Sequence, residues 1–345
     1  MPGGETNCNI VECDDKDVVF LKSYSEVGME KGFVFAPFCI TSSCPVILLR
    51  TKERIVKDIR DLHRNVKDKD VRILNVEEDK ETYKEDFEKF HEKTLSGEFF
   101  KIVLSRKSVM KVDKELDVIW IFQQLCTDYP NSFVSLVKIK SAGLWVMATP
   151  EVLLESTPHG IHTMALAGTR NVENKVGDTP CSSAGSSPEW DEKNTKEQKY
   201  VSEYIYDCLR EFTDDITFTS PRTIKYGNIE HLKSDFYFQK EADVRLGRIV
   251  SRLHPTPAVC GLPAAETFNF IQNNEHNDRQ YYSGFCGPYS GDADFHLYVT
   301  LRCMKIVNHT AELFAGGGIL TGSKEEEEWN ETKLKMQAMK KTFFQ

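Results

Sequence analysis

Short apolar runs separated by turns occupy the first fifty residues: Val18-Val19-Phe20-Leu21, Phe33-Val34-Phe35 and Val46-Ile47-Leu48-Leu49. Runs this short and this rich in β-branched residues predict strands. The spacing then changes. Ile55, Ile59, Leu62 and Val66 form one stripe at helical period and predict a helix over about 51–66. Tyr83, Phe87 and Phe90 predict another over about 81–95. Between them, Val71-Arg72-Ile73-Leu74 fits a strand or a buried connection. Phe99-Phe100-Lys101-Ile102-Val103-Leu104 is too β-branched and aromatic for a surface helix, so a strand is expected within 98–107.

Farther along, the pattern predicts a helix over about 113–127 and strands over about 133–140, 143–149 and 162–167. From Asn171 to Asn194 the chain turns polar, with Cys181-Ser182-Ser183-Ala184-Gly185-Ser186-Ser187-Pro188 at its centre. That composition fits a loop, and its length fits a functional flap or a domain boundary better than a simple connection. Helices are expected over about 195–213, 240–252 and 261–274, then an antiparallel pair, 294–307 and 310–316, joined at Asn308-His309. Gly316-Gly317-Gly318 leads through Thr321-Gly322-Ser323 into a last helix of about 324–341, where Ser323 and Glu326 fit a capping box. Strand-strand-helix pieces without βαβ alternation predict an α+β fold with extensive antiparallel sheet.

Composition narrows the function classes. A chain of 345 residues predicts two domains or one large one, and 40% hydrophobic with 28% charged residues fits a compact fold that needs no disulfides. The 44 Lys and Arg against 53 Asp and Glu give a net charge of −9 without a basic tail, which argues against nucleic acid as a partner. No apolar run approaches bilayer length, and the first residues have neither the basic nor the apolar part of a secretory signal. The ten cysteines are scattered without a CxxC, and Cys8/Cys13 and Cys39/Cys44 lack the spacing of a zinc site. Buried free thiols in a reducing cytoplasm are the expectation, with no membrane association.

Several polar residues stand where polarity needs a reason. Lys101 lies inside an apolar strand, either pointing to solvent by alternation or desolvated as a base. Lowering an amine from about 10.4 to about 7.5 takes roughly 4 kcal/mol, which only a closed site supplies. Glu151 follows Ala148-Thr149-Pro150 at a strand end, on a held turn, as an exposed carboxylate or a general acid. Glu325 to Glu328 suit the first turn of the last helix, and Glu331 and Lys335 can pair four apart. Glu328 and Glu331 also share a helix face, as carboxylates around a divalent cation do, and Glu197 can add a third. Gly316-Gly317-Gly318 allows close backbone approach to an anion or makes a tight turn, and is not a P-loop. His254, in Leu253-His254-Pro255-Thr256-Pro257-Ala258, has no second histidine at metal-ligand spacing, and His159 and His162 match no zinc motif.

Together these segments resemble the chorismate-utilising enzymes, most closely the isochorismate synthases. The pieces, in order, are Lys101-Ile102-Val103-Leu104-Ser105-Arg106, Thr149-Pro150-Glu151, Ala165-Leu166-Ala167-Gly168-Thr169-Arg170, Lys196-Glu197, and Leu253 through Val259. Glu275 with Arg279, Tyr282-Ser283-Gly284, Arg302, Phe314 through Ile319, and Glu328-Trp329-Asn330-Glu331 before Lys335 complete the series. The resemblance implies an α+β fold like anthranilate synthase component I, with packed antiparallel sheets between helices. Residues 1–97 match poorly, while 98–345 form the chorismate-binding region, in one structural unit with 1–97.

By the same resemblance, Lys101 is the base that activates water for attack at C2 of chorismate, and Glu151 the acid that protonates the departing C4 hydroxyl. Glu197 and Glu331 match Mg²⁺ ligands, with Glu328 in the outer shell. Tyr282, Arg302, Gly317 and Lys335 match the pocket for the substrate carboxylates, Gly168 and Thr169 the ring pocket, and His254 the substrate loop. An ion-free cleft presenting three glutamates is expected to repel a dianion, so activity should depend on the metal. Salicylate synthases share the lysine and the acid and then eliminate pyruvate, which makes them the alternative. Ammonia-using relatives generally lack the lysine. A non-catalytic binding protein on the same fold is the remaining possibility. No obligate protein partner is implied, and a monomer or weak homodimer is expected. Cys260 and Cys286 stand where small residues are common in the family.

Overall fold

The computed structural model of the chain describes residues 7–50, 53–62, 71–171, 190–227 and 229–343. In chain order the first elements are β1 (Asn7–Glu12), β2 (Val18–Leu21), β3 (Gly32–Ala36), β4 (Val46–Leu49), β5 (Glu53–Asp58), β6 (Ile73–Glu78) and α1 (Lys80–Leu95). Next come β7 (Lys101–Val112), α2 (Val118–Asp128), β8 (Phe133–Ile139), β9 (Gly143–Thr149), β10 (Val152–Thr157), β11 (Gly160–Asn171) and α3 (Glu192–Arg210). Then follow β12 (Ile216–Phe218), β13 (Arg222–Tyr226), β14 (Ile229–Phe238), α4 (Leu246–Leu253), β15 (Gly261–Leu262) and α5 (Ala264–Asn274). The last elements are β16 (Phe285–Gly291), β17 (Asp294–Val299), β18 (Cys303–Val307), β19 (Thr310–Ile319) and α6 (Glu325–Lys340).

Two antiparallel sheets dominate. The larger has the order β12-β14-β11-β10-β17-β16-β3-β4-β2, with β13 also on β14, and the smaller β15-β7-β19-β18-β9-β8, with β6 also on β7. Strand alternation divides the core between their faces. In β3, Val34 and Ala36 join the layer under α3 and α4, whereas Phe35 faces the other sheet. In β9, Trp145 and Met147 take the intersheet face, and Val146 and Ala148 pack under α2 and α6. Phe35, Trp145, Tyr281 and Phe314 lock the sheets together, with Phe35 stacked on Tyr281 at 4.2 Å. The layers therefore run helix, sheet, sheet, helix, the α+β architecture expected.

Two of the crossings between the sheets lie side by side. β9 passes to β10 through Pro150 and Glu151, and β17 passes to β18 through Thr300, Leu301 and Arg302. Ala148 N–H donates to the Arg302 carbonyl at 3.1 Å, and Val299 N–H donates to the Glu151 carbonyl at 3.0 Å. Backbone that switches sheets leaves the regular ladders, so its side chains point into the seam. Arg302 takes φ +46°, a left-handed conformation uncommon for a residue with a Cβ.

Several sequence expectations are corrected. Within the expected helix over 51–66, Glu53–Asp58 is a strand, β5, followed by a short turn of 3₁₀ helix at Ile59–Leu62; 51–52 and 63–66 lie outside the described residues. β5 pairs with β1, a distant partner that local spacing does not reveal, and Ile55 and Val56 are exposed. The 294–307 strand is two strands in different sheets, broken at the crossover. The capping box does not form: Ser323 Oγ accepts from Leu320 N–H at 3.0 Å, Lys324 occupies the cap, and Glu326 pairs with Lys80. β10, β12, β13, β14 and β16 have no counterpart in the predicted elements. The flap expected over 171–194 lies mostly outside the described residues, as does Cys181, and α3 already starts at Glu192. The nine described cysteines are free; Cys286 and Cys260 fill core positions, with Cys286 Sγ 3.2 Å from Met147 Sδ. Among the described residues no helix is long and apolar enough to cross a membrane.

Candidate active site

A cleft opens at the seam and is lined by Glu151, Gly168, Thr169, Glu197, Tyr282 and Arg302 among others. Its first wall arises where the β11–β14 register shifts between Ala167 and Arg170. A bulge frees backbone amides from the ladder, and α3 collects them. Ala167 N–H donates to Gln198 Oε1 at 2.9 Å, Gly168 N–H to Glu197 Oε2 at 3.2 Å, and Thr169 N–H to Asn194 Oδ1 at 2.9 Å. Gly168 adopts φ +71°, which glycine tolerates without strain.

The opposite wall is the end of β19 against β7 and α6. Lys101 is fully buried, and its Nζ lies 2.9 Å from Glu197 Oε1. The glycine run makes room for this pair: a Cβ on Gly318 would stand 2.4 Å from Glu197 Oε1 and 2.8 Å from Lys101 Cε. One residue back, a Cβ on Gly317 would lie 3.1 Å from Glu328 Oε2 and 3.6 Å from Glu331 Oε1. On Gly316 it would meet the Tyr282 hydroxyl at 3.0 Å. Each carboxylate has its own lysine: Glu197 has Lys101, Glu328 has Lys193, and Glu331 has Lys335 at 2.6 Å. Lys335 also donates to the Gly316 carbonyl at 2.9 Å. The expected repulsion by three bare glutamates is therefore corrected, since three buried or half-buried cations balance them.

Burial sets the electrostatics. Glu151 is pushed up to about 7 by desolvation, against the lowering effect of Lys101, Arg302 and Lys335, so its carboxyl is half protonated near neutrality. Glu328 is likewise pushed up to about 7, by burial and by the neighbouring Glu331 charge. Burial also acts to raise Glu197, but the Lys101 and Lys193 charges hold it below the ordinary range. Glu328 Oε2 is buried without a hydrogen-bond partner, and so is Arg302 Nε.

A residue absent from the sequence-derived set completes the wall. His231, on β14, is pushed down to about 3 by burial and by the Arg302 and Lys335 charges, so it is neutral. Its Nδ1 lies 2.8 Å from the Gly168 carbonyl, which only accepts, so the proton sits on Nδ1. Nε2 is thus the acceptor for Arg302 Nη2 at 2.9 Å. His231 holds the cationic side chain and the bulge in one orientation. A histidine inside a strand beside unremarked residues gave no local signal; Lys193, Asn194 and Gln198 were hidden in the same way.

The structure gathers Lys101, Glu151, Gly168, Thr169, Glu197, Tyr282, Arg302 and Lys335 at or beside this cleft, with Gly317, Glu328 and Glu331 behind its glycine wall. It does not bring His254 there. That ring is buried between Tyr24 and Phe285, with centroids at 4.8 and 4.9 Å, and its Nε2 lies 3.2 Å from the Pro37 carbonyl. Burial pushes it down to about 4, a neutral core histidine; from its segment Ala258 and Val259 reach the cleft. Glu275 and Arg279 form a buried ion pair at 2.6 Å, and Arg279 also donates to the Val103 and Val259 carbonyls, fixing β7 beneath the site. His162 bridges Glu155 and Asp235 at 2.8 and 2.7 Å, away from the cleft.

This fold and cleft define a chorismate-binding enzyme: the family model described as "Chorismate binding enzyme" matches residues 34–344, and the chain belongs to that family. Among its relatives, isochorismate synthase EntC of Escherichia coli is 29% identical over 252 residues, covering 72% of this chain and 64% of the relative. Isochorismate synthase MenF of Haemophilus influenzae is 29% identical over 243 residues, covering 70% of this chain and 55% of the relative. The chain thus spans less than two thirds of these relatives' lengths. DhbC of Bacillus anthracis superposes with a TM-score of 0.81 at 22% identity, covering 98% of this chain and 93% of that one. Anthranilate synthase component I of Streptococcus pneumoniae superposes at 0.71 with 18% identity, covering 93% and 80%. These likenesses confirm the expected fold.

Proposed function

We propose that the protein isomerises chorismate to isochorismate. To act as the base, Lys101 must first give up its ammonium proton; it then takes a proton from water as the oxygen bonds to C2 of the ring. The ring double bonds shift, and the C4–oxygen bond breaks as Glu151 delivers its proton to the departing hydroxyl. One water enters and one leaves, so the net reaction is a reversible isomerisation. A hydroxide is a poor leaving group, and an acid titrating near 7 is suited both to donating this proton and to recovering it. Arg302, oriented by His231, and Lys335 and Tyr282 supply cations and a hydroxyl for the substrate carboxylates, with Gly168 and Thr169 against the ring. The observation that carries this reading is a buried, half-protonated carboxyl lining the cleft and a fully buried amine beside it, with Lys101 acting electrostatically on Glu151.

Mg²⁺ is the implied cofactor. Among the described residues no group of three or more His, Cys, Asp or Glu side chains is arranged to hold an ion. The donor set nevertheless suits one: carboxylate oxygens are the ligands Mg²⁺ prefers, Glu328 Oε2 is orphaned, and the glycine wall leaves space beside the carboxylates. Glu197 and Glu331 would hold the ion, with Glu328 in the outer shell. Bound there, it would supply positive charge to anchor a substrate carboxylate.

All these residues lie in one chain, so we propose action as a monomer or weak homodimer, without an obligate partner, in the cytoplasm. Residues 1–97 and 98–345 would work as one unit, since β2, β3 and β4 share a sheet with β16 and β17. The test is product analysis with chorismate and Mg²⁺: isochorismate without pyruvate is expected. Stoichiometric pyruvate would overturn the assignment in favour of salicylate formation, and a requirement for ammonia in favour of an aminating synthase. Lys101→Ala and Glu151→Gln should each lower turnover by about 10²–10⁴-fold while substrate still binds.

A further inference from the structure

Of the three lysines that neutralise the carboxylates, Lys101 is the proposed base and Lys335 is tied to the Gly316 carbonyl as well as to Glu331. Lys193 differs. It stands in the first turn of α3, and the one hydrogen bond of its side chain among the described residues goes to Glu328 Oε1. The pair is lopsided: the Lys193 side chain is 27% exposed and that of Glu328 is 1% exposed. A carboxylate so buried is costly without a counter-charge, whereas a partly exposed lysine can return its head to water. The other Glu328 oxygen has no partner and borders, with Glu331 Oε1, the space that Gly317 leaves open.

We propose that Lys193 is a built-in counter-ion that competes with a divalent cation for Glu328 and so sets how tightly the protein binds that cation. The proposal rests on the reading above, in which Glu197, Glu328 and Glu331 receive the ion. In formal charges, three lysines balance three carboxylates before the ion arrives. Two further positive charges then leave the cluster cationic, which suits a dianionic substrate. With the ion in place Glu328 no longer needs Lys193, and the lysine is the member of the cluster free to turn outward. The device keeps the buried carboxylates neutralised when the ion is absent, at the expense of affinity when it is present.

The experiment is direct titration with Mn²⁺ at pH 8, followed by electron paramagnetic resonance, on the wild-type protein, Lys193→Met and Lys193→Arg. Methionine keeps the length and removes the charge, so Lys193→Met should bind Mn²⁺ about tenfold more tightly, the direction expected on removing a like charge a few ångströms away. Arginine can pair with Glu328 through two donors, so Lys193→Arg should bind less tightly than wild type. Affinities for Lys193→Met equal to or weaker than wild type would overturn the proposal, while chorismate turnover by the wild type would leave the isomerase reading intact. Should Lys193→Met fail to fold, Lys193→Arg carries the test, and unchanged affinity there would also overturn it. Absence of Mn²⁺ binding to every form would overturn the metal assignment and this proposal together.

Discussion

Burial and nearby cations pull Glu151 in opposite directions, and burial prevails. Its folded value of about 7 against an unfolded value near 4.5 means that the native state favours the protonated carboxyl. The associated stability is complete below the unfolded value and is lost as pH rises through 7, a difference of about 3 kcal/mol. Thermal melts at pH 5 and pH 8 should therefore separate more for the wild type than for Glu151→Gln, which cannot ionise. Equal separation would remove the basis for treating Glu151 as the acid. His231→Ala should raise KM for the substrate about tenfold with a smaller effect on kcat, because Arg302 and the Gly168 carbonyl each lose a partner. Glu151 was legible because a proline and a strand end precede it. His231 was not, because its importance arises from contacts with Gly168 and Arg302, 63 and 71 residues away.

Among the elements, β19 makes the sharpest demand on sequence. Gly318→Ala would place a methyl group in the Lys101–Glu197 pair, so activity should fall to background while circular dichroism remains native; near-normal turnover would mean that the pair is not at the reacting centre. Removing the buried Arg279 charge leaves Glu275 uncompensated, and Arg279→Met should cost about 3–5 kcal/mol in urea unfolding. α1 was legible from the stripe Tyr83, Phe87 and Phe90 at helical period, whereas α6 was expected in its right place from a capping box that does not form. β5 was misread because Ile55, Ile59 and Leu62, at helical spacing, run from an exposed strand paired with β1 into a short 3₁₀ turn, and spacing alone does not separate the two. The hairpin of β18 and β19 was visible at Asn308-His309, where Asn308 adopts φ +52°. The break at Arg302 was not, since nothing local marks a change of sheet.

At the scale of the whole molecule, two sheets packed face to face place the β9–β10 and β17–β18 crossovers at one seam, and the cleft follows from that topology. A net charge of −9 gives no hint of a site for an anion, because the relevant charges are the local ones of Lys101, Lys193, Arg302 and Lys335. Chelation should abolish turnover and added Mg²⁺ restore it, with the far-ultraviolet circular dichroism unchanged; full activity in the chelator would contradict the cofactor assignment. The measurement closest to the central claim is mass spectrometry of the product formed from chorismate in H₂¹⁸O. Isochorismate carrying one ¹⁸O at C2 is expected, lost in Lys101→Ala and Glu151→Gln. Unlabelled isochorismate, or labelled product from either variant at wild-type rate, would contradict water addition by this pair.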